Sequence, residues 1–254
     1  MVFLHAFPLN GQMWDPVRAE LPVGLRTLAL DFPGFGDRPA FDSDTPPGIA
    51  SLADLAIGQI EALTDRPAVL VGLSLGGYVM GELVGRRPDL VAGLVFADTR
   101  LSADAPAEQP RREAMAGQVL ADGHVGSLLT DYLPACMGQT TFAQRPAVVD
   151  RAKRLILQAS PAGAAWTFRA MSARVDTSGA VRDSGLPGCL IVGAEDALCT
   201  ADDRRLISDA LRGGPVLEIP RAGHYSAMED PHGFASRLVL FLQNTYATGV
   251  RTHG

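Results

Sequence analysis

The sequence Val69-Leu70-Val71-Gly72-Leu73-Ser74-Leu75-Gly76-Gly77-Tyr78 runs from an apolar segment into a G-x-S-x-G motif and then into a helical pattern. A serine between a buried strand and a helix in this motif is typical of a nucleophile elbow, a sharp turn that projects the hydroxyl clear of a sheet. Gly72 and Gly76 carry no Cβ atom that would collide with such a turn. The motif therefore predicts a nucleophile at Ser74.

Glycines recur every fourth residue along the helical pattern, at Gly77, Gly81 and Gly85. Each glycine in a helix interior costs about 1 kcal/mol relative to alanine. Three of them on one face predict that the helix backbone passes very close to the sheet.

Short apolar runs recur along the chain and do not alternate with polar residues, as in strands that are buried on both faces of a parallel sheet. These runs are residues 2–4, 27–30, 68–73, 93–97, 189–192 and 216–219. Helical patterns separate most of them, at residues 49–63, 75–86, 201–211 and 233–242. This alternation predicts an α/β fold with a mostly parallel, doubly wound sheet.

The interval 100–186 offers no convincing strand, but it has helical patterns at residues 111–121, 126–136, 146–159 and 162–174. A long insertion between two core strands is usually functional. We therefore expect a core of residues 1–99 and 187–254, with a helical lid (cap) of residues 100–186 inserted between two core strands. Residues 248–254 are expected to form a frayed tail.

A serine hydroxyl needs an adjacent base, and a histidine base needs a carboxylate that orients it. Of the five histidines, His224 directly follows the last apolar run, at the edge of the sheet where α/β folds bind ligands. Asp196 follows the preceding run in a strand-G-x-x-D pattern and is the best candidate for the carboxylate. Asp98, which also ends a strand, is a rival, and Glu195 is a third possibility.

The order Ser74, Asp196, His224 and the motifs around these residues resemble the α/β-hydrolase family. The resemblance covers nearly the whole chain and is closest to the group of carboxylesterases, 3-oxoadipate enol-lactonases and cofactor-free haloperoxidases. It implies the α/β-hydrolase fold, a Ser-His-Asp catalytic triad and no cofactor. Family members commonly carry a β-hairpin before the first strand, whereas only Met1 to Phe3 precede Leu4 here, so the sheet is shorter at that edge or the sequence begins late.

The resemblance also implies an oxyanion hole, the pair of N–H groups that stabilises a developing oxyanion. Carried over by position, the donors are Phe7, in the loop after the first strand, and Leu75, directly after the nucleophile. The family often has His-Gly at the start of that loop, and this chain has His5-Ala6. Alanine restricts the loop, which puts the donor geometry in question. We expect His5 to be a structural hydrogen-bonding residue.

These residues predict a serine esterase or lactonase that cleaves a small-molecule carboxylic ester through an acyl-enzyme. Alternatives on the same triad are perhydrolase (haloperoxidase-type) chemistry and carbon–carbon bond hydrolysis, and a non-enzymatic ligand-binding protein of this fold is also possible. The cap side chains expected to line the substrate pocket are Tyr132, Met137, Phe142, Trp166 and Met171. If the substrate is acidic, the candidate anchors are Arg100, Arg169 and Arg174.

Composition restricts the partners. The net charge is −6 and the basic residues are scattered, which argues against nucleic acid binding.

No histidine pair has zinc-ligand spacing, and Pro39 stands where a dinucleotide-binding loop needs glycine, so no metal and no cofactor are expected. Cys136, Cys189 and Cys199 are expected to be unpaired and buried. No segment reads as a signal peptide or a membrane span, and the protein is expected to be cytoplasmic.

Overall fold

A computed structural model describes residues 1–42 and 44–246 of the chain. Its centre is a sheet of six parallel strands in the spatial order β2-β1-β3-β4-β5-β6. The strands are β1 (Val2–Leu4), β2 (Leu28–Leu30), β3 (Ala68–Leu73), β4 (Val91–Ala97), β5 (Gly188–Gly193) and β6 (Val216–Ile219). All six predicted strands are confirmed. The expected frayed tail lies outside the described residues.

Helices cover both faces of this sheet. On one face α1 (Asp15–Ala19) packs against α13 (Pro231–Tyr246), and on the other α2 (Ile49–Leu63) packs against α3 (Leu75–Arg86). The helices α2 and α3 have the bounds that the sequence predicts. Beside α3 lies α10 (Ser178–Ser184), which in turn packs against α11 (Ala201–Ala210). This is the predicted doubly wound arrangement.

The remaining helices lie between β4 and β5, apart from the short α12 (Ser226–Glu229) that precedes α13. They are α4 (Glu108–Asp122), α5 (Ser127–Asp131), α6 (Leu133–Cys136), α7 (Gln139–Gln144), α8 (Pro146–Ile156) and α9 (Pro161–Ser172). We call α4–α9 the cap helices. The single helix expected over residues 126–136 divides into two, because Pro134 cannot occupy a helix interior and instead stands in the first turn of a new helix.

The three glycines on one face of α3 (Gly77, Gly81 and Gly85) make room for a different contact from the one expected. A Cβ atom on Gly77 would lie 2.3 Å from Thr99 Oγ1, just after β4, and one on Gly81 would lie 2.2 Å from Thr177 Oγ1, just before α10. The glycines therefore admit the loop beside β4 and the α10 segment rather than the strands themselves. Because α10 packs against α3 and α11, it belongs to the helical layer on the sheet, although it falls within the range expected for the cap.

The strand order reverses direction around β1. The chain passes from β1 to β2 on one side, and then returns to place β3 on the other side of β1. The loops that follow β1 and β3 consequently diverge at the carboxyl edge of the sheet, which is where open α/β sheets bind ligands. Phe7 lies in the first of these loops and Ser74 directly follows the second strand.

The described residues contain no helix that is long and apolar enough to cross a membrane. Cys136, Cys189 and Cys199 are all buried and unpaired, as expected.

Candidate active site

Ser74 occupies a strained turn between β3 and α3. Its φ of +52° and ψ of −109° lie in a region that non-glycine residues rarely adopt. The neighbouring glycines make the turn possible: a Cβ atom on Gly76 would lie 2.2 Å from the carbonyl oxygen of Leu4 in β1, and one on Gly72 would lie 2.6 Å from the backbone of Gly76. The local backbone therefore has the form of a nucleophile elbow.

His224 reaches Ser74 from the loop after β6. Its Nε2 lies 2.9 Å from Ser74 Oγ, and its Nδ1 lies 3.0 Å from Asp196 Oδ2. All three residues are buried, with exposures of 4% for Ser74, 5% for His224 and 7% for Asp196. Since an ionised carboxylate only accepts hydrogen bonds, the proton of a neutral His224 sits on Nδ1 and leaves Nε2 free to accept from the serine hydroxyl.

Asp196 is held rigidly behind the histidine. Its second oxygen, Oδ1, accepts from the backbone N–H groups of Leu198 at 2.7 Å and Cys199 at 3.3 Å. Burial acts to raise the pKa of Asp196, but the attraction of His224 and the hydrogen bonds outweigh burial and lower the pKa below its ordinary value. The carboxylate is therefore ionised and oriented toward Nδ1 at neutral pH.

Asp98, the alternative candidate for the orienting carboxylate, lies near Asp196 but forms its hydrogen bonds with groups other than His224. Its Oδ1 accepts from the Gly193 N–H at 2.8 Å, and its Oδ2 forms a short hydrogen bond with Ser226 Oγ. Burial and the negative charge of Asp196 raise the pKa of Asp98 well above its ordinary value. A carboxyl group that favours its neutral form stabilises a histidine cation poorly, so the geometry and the charge both favour Asp196 as the orienting acid.

Glu195, the third possibility, points into the cap. Its Oε2 accepts from the Thr140 N–H at 2.9 Å, and its Oε1 forms a short hydrogen bond with the Thr140 hydroxyl at the start of α7. The buried Glu229 acts in the same way two residues earlier, because its Oε2 accepts from the Gly138 N–H at 3.0 Å. Its Oε1 accepts from the Tyr225 N–H at 3.2 Å, so Glu229 joins the cap to the residue after His224. Sequence reasoning missed Glu229.

Of the two residues expected to form the oxyanion hole, Leu75 directly follows Ser74, and Phe7 lies in the loop after β1, the strand next to β3. Within the described part of the chain, neither the Phe7 N–H nor the Leu75 N–H has a protein acceptor. The loop of Phe7 is fixed from both sides: Tyr225 donates its hydroxyl to the Phe7 carbonyl at 3.0 Å, and His5 Nδ1 lies 2.9 Å from the Ala6 carbonyl. Two free backbone donors, one in a fixed loop and one at the start of a helix, are what an oxyanion hole requires.

His5 is completely buried and structural, as expected. Its Nε2 accepts from the Phe32 N–H at 3.0 Å, which assigns the ring proton to Nδ1. Burial lowers the pKa of His5 to about 4, although the Ala6 carbonyl and Asp31 act in the opposite direction.

The predicted pocket residues divide into two groups. Tyr132 packs edge-on against the Phe7 ring, with centroids 5.4 Å apart, and Met137 and Met171 are buried. Phe142 is 42% exposed at the surface. Trp166 packs on Phe41 and donates its indole N–H to the Thr45 carbonyl at 3.0 Å, which ties the cap to the loop before α2. The described contacts of Phe142 and Trp166 give them no position beside Ser74.

The predicted cationic anchors also differ in position. Arg169 pairs with Glu113 at the surface, and Arg100 donates to the Leu198 carbonyl at 3.1 Å beside the Asp196 loop. Arg174 is buried and stacks on the Tyr78 ring, with its guanidinium carbon 4.3 Å from the ring centroid. Arg112 on α4 lies near Arg174, and sequence reasoning missed it; its charged neighbours Arg111 and Glu113 are typical of a solvated helix face.

No group of three His, Cys, Asp or Glu side chains in residues 1–42 and 44–246 is placed to hold a metal ion.

Comparison with known proteins extends these observations. Pimeloyl-[acyl-carrier protein] methyl ester esterase from Neisseria meningitidis serogroup B is 27% identical over 240 residues, covering 92% of this chain and 88% of that protein. 2-Succinyl-6-hydroxy-2,4-cyclohexadiene-1-carboxylate synthase from Serratia proteamaculans is 30% identical, with 96% and 93% covered. A thermophilic esterase from Thermogutta terrifontis, solved with malate bound, has a TM-score of 0.91 at 28% identity and covers 96% of this chain and 89% of its own.

The comparison with family models gives the same result over most of the sequence. The model described as "Alpha/beta hydrolase family" matches residues 1–237, which include the elbow, Asp196 and His224. The resemblance inferred from the motifs is thereby confirmed. The chain belongs to the alpha/beta hydrolase family.

Proposed function

We propose that this protein is a serine hydrolase that cleaves a small-molecule carboxylic ester or lactone. The observation that carries the proposal is the continuous hydrogen-bonded series from Ser74 Oγ through His224 to Asp196, on a serine held at positive φ. Two similar proteins described as esterases support the reaction class.

In the proposed mechanism, His224 Nε2 takes the proton of Ser74 as Oγ attacks the ester carbonyl. The N–H groups of Phe7 and Leu75 hold the oxyanion, and Asp196 stabilises the histidine cation. Collapse of the tetrahedral intermediate breaks the ester bond, and His224 returns its proton to the departing alcohol. A water molecule then attacks the acyl-enzyme by the same route, releasing the carboxylic acid and free Ser74.

The first test is covalent labelling with a fluorophosphonate, followed by intact and peptide mass spectrometry. We expect one adduct, on Ser74, and none on the Ser74→Ala variant. Ser208→Ala, on α11 and away from the site, should label like the wild type. On p-nitrophenyl butyrate and short methyl esters, Ser74→Ala should lose at least about three orders of magnitude in kcat. A folded wild-type protein that neither labels nor hydrolyses any ester would refute the proposal and favour a ligand-binding role.

The relative named as a synthase favours a second candidate, in which the same three residues serve a reaction other than the hydrolysis of an ester or lactone. Perhydrolysis and carbon–carbon bond hydrolysis belong to this class. Product analysis separates these activities: hydrolysis of an ester releases equal amounts of acid and alcohol with water as the only co-reactant. Labelling of Ser74 without turnover of any ester or lactone would favour the second candidate.

A further inference from the structure

A buried cluster of three charged side chains lies under the cap. Asp104, in the loop between β4 and α4, receives Arg112 from α4 and Arg174 from the segment after α9. Arg112 Nη2 donates to Asp104 Oδ1 at 3.2 Å and its Nε donates to Oδ2, while Arg174 Nη1 lies 2.5 Å from Oδ1. The side chains are 0% exposed for Asp104, 3% for Arg174 and 14% for Arg112.

This cluster carries one more positive charge than negative. Two other charged side chains line the crevice beside Arg174. Glu82 lies 3.7 Å from Arg86, whose closer partner is Asp54 at 2.6 Å, and Arg100 lies 3.8 Å from Asp203. Within the described residues, Asp104 is the only carboxylate that pairs with Arg112 or Arg174. Because burying an uncompensated charge costs several kcal/mol, the arrangement is best explained by a negative partner outside the residues that the structure describes.

The cluster also has hydrogen-bond donors without acceptors. Arg174 Nη1 and Nη2 are buried, and neither is oriented to form a hydrogen bond within the described residues, although Nη1 is close to Asp104. Arg112 Nη1 faces only the thioether sulfur of Met171, at 3.5 Å, which is a weak acceptor. The unpaired N–H donors and the excess positive charge would both be satisfied by one ligand, an anion with at least two acceptor oxygens.

The cluster adjoins the surroundings of Ser74. Tyr78, one helical turn after Ser74 on α3, is the ring on which Arg174 stacks. Burial acts to lower the pKa of Arg112, but Asp104 and the nearby Tyr132 and Tyr78 hydroxyl groups raise it, so Arg112 remains charged. Tyr132 in turn packs against Phe7, which bears one of the proposed oxyanion donors.

We propose that Arg112 and Arg174 bind a carboxylate on the acyl part of the substrate, so that the preferred substrates are half-esters of dicarboxylic acids. This inference rests on the proposed ester hydrolysis at Ser74. The cavity of about 10 Å³ beside Tyr78 and Arg174 holds no more than one water, so the carboxylate enters on the Arg112 side. There the flexible side chain of Met171 gives way to it.

Steady-state kinetics on matched esters tests the proposal. Monomethyl succinate, glutarate, adipate and pimelate are compared with methyl esters of straight-chain monocarboxylic acids of equal length. We expect the wild type to favour the half-ester by at least tenfold in kcat/KM at the best chain length. Arg112→Met should abolish that preference and change the neutral esters less than threefold. Asp104 stays paired with Arg174 in this variant, so no unpaired buried carboxylate is created.

Arg169→Met is the matched control, because it removes a cap arginine that pairs at the surface, and it should keep the preference. A wild type that hydrolyses both ester series equally would overturn the inference while leaving the proposed function intact. An equal loss on both series in Arg112→Met would show that Arg112 is only structural, and would overturn it as well.

A binding measurement keeps the two proposals separate. Adipate should raise the Tm of the Ser74→Ala variant, and the rise should disappear when Arg112→Met is added. This arm requires no turnover, so it can succeed where ester hydrolysis fails. If none of succinate, glutarate, adipate or pimelate shifts the Tm, the anion site does not exist.

Discussion

Replacing His5 should remove a specific acid sensitivity of the folded state. The ring is completely buried between the Ala6 carbonyl and the Phe32 N–H, and burial lowers its pKa to about 4. An unfolded chain binds the same proton with a pKa near 6.5. As the pH falls from 6.5 to 4, the unfolded state takes up a proton that the folded state refuses, so the free energy of unfolding falls in this window.

The size of the effect follows from the two pKa values. At about 1.4 kcal/mol per pH unit, a pKa of about 4 in place of 6.5 corresponds to roughly 3 kcal/mol of stability at pH 7. This contribution is complete above pH 6.5, is lost as the pH falls toward 4, and changes no further below that. Three kcal/mol is a large share of the 5–15 kcal/mol by which domains are typically stable.

The assay is urea unfolding of the wild type, His5→Gln and His5→Asn at several pH values between 7.5 and 4. Other groups titrate in the same range, so the informative quantity is the difference between wild type and variant at each pH. We expect the advantage of the wild type to shrink by about 3 kcal/mol from pH 7 to pH 4, because the variants have no proton to bind there.

The two variants control for each other. Glutamine and asparagine place their amide groups differently, so their costs at pH 7 should differ, whereas the pH dependence that each one removes should be the same. Unfolding free energies of wild type and variants that run parallel across the whole range would refute the reasoning about the burial of a neutral imidazole.

Two pairs of substitutions test the elbow and the choice of acid. Gly76→Ala places a Cβ atom 2.2 Å from the backbone oxygen of Leu4 and should lower the free energy of unfolding in urea by about 3 kcal/mol or more. The control is Gly58→Ala in the interior of α2, where no atom lies within 4 Å, and it should raise that free energy by up to about 1 kcal/mol. Equal effects of the two variants would contradict the packing argument. Asp196→Asn should reduce kcat on the best ester by a factor of about 10³–10⁴. Asp98→Asn replaces a carboxyl group of raised pKa by a neutral amide, so its kcat should stay within tenfold of the wild type. The reverse order would make Asp98 the orienting acid.

Much of the candidate site was predictable because its parts are set by local backbone demands. The elbow requires small residues on either side of Ser74, and strand, turn and helix are contiguous in sequence, so a window of ten residues contains the information. Asp196 and His224 each follow an apolar run, and the parallel order of the strands brings such residues to one edge of the sheet.

The differences between the structure and the sequence expectations have a common physical cause. Trp166 and Phe142 carry the composition of pocket residues, but helix rotation and packing turn one toward Phe41 and the other to the surface. The glycines of α3 correctly indicate that another segment packs very close to this helix, but a sequence does not say which segment. The helix α10, which follows one of the contacting segments, was not predicted.

The sequence by itself determined the parallel α/β fold, the elbow at Ser74 and the histidine that meets it, because periodicity and turn chemistry are properties of neighbouring residues. The tertiary structure favoured one of three carboxylates that all follow strands at the same edge, because that choice depends on where each side chain points and on what surrounds it. It also brought Arg112 and Arg174 onto the single carboxylate of Asp104. An excess positive charge of this kind arises only when segments distant in sequence are buried together, so no local sequence pattern predicts it.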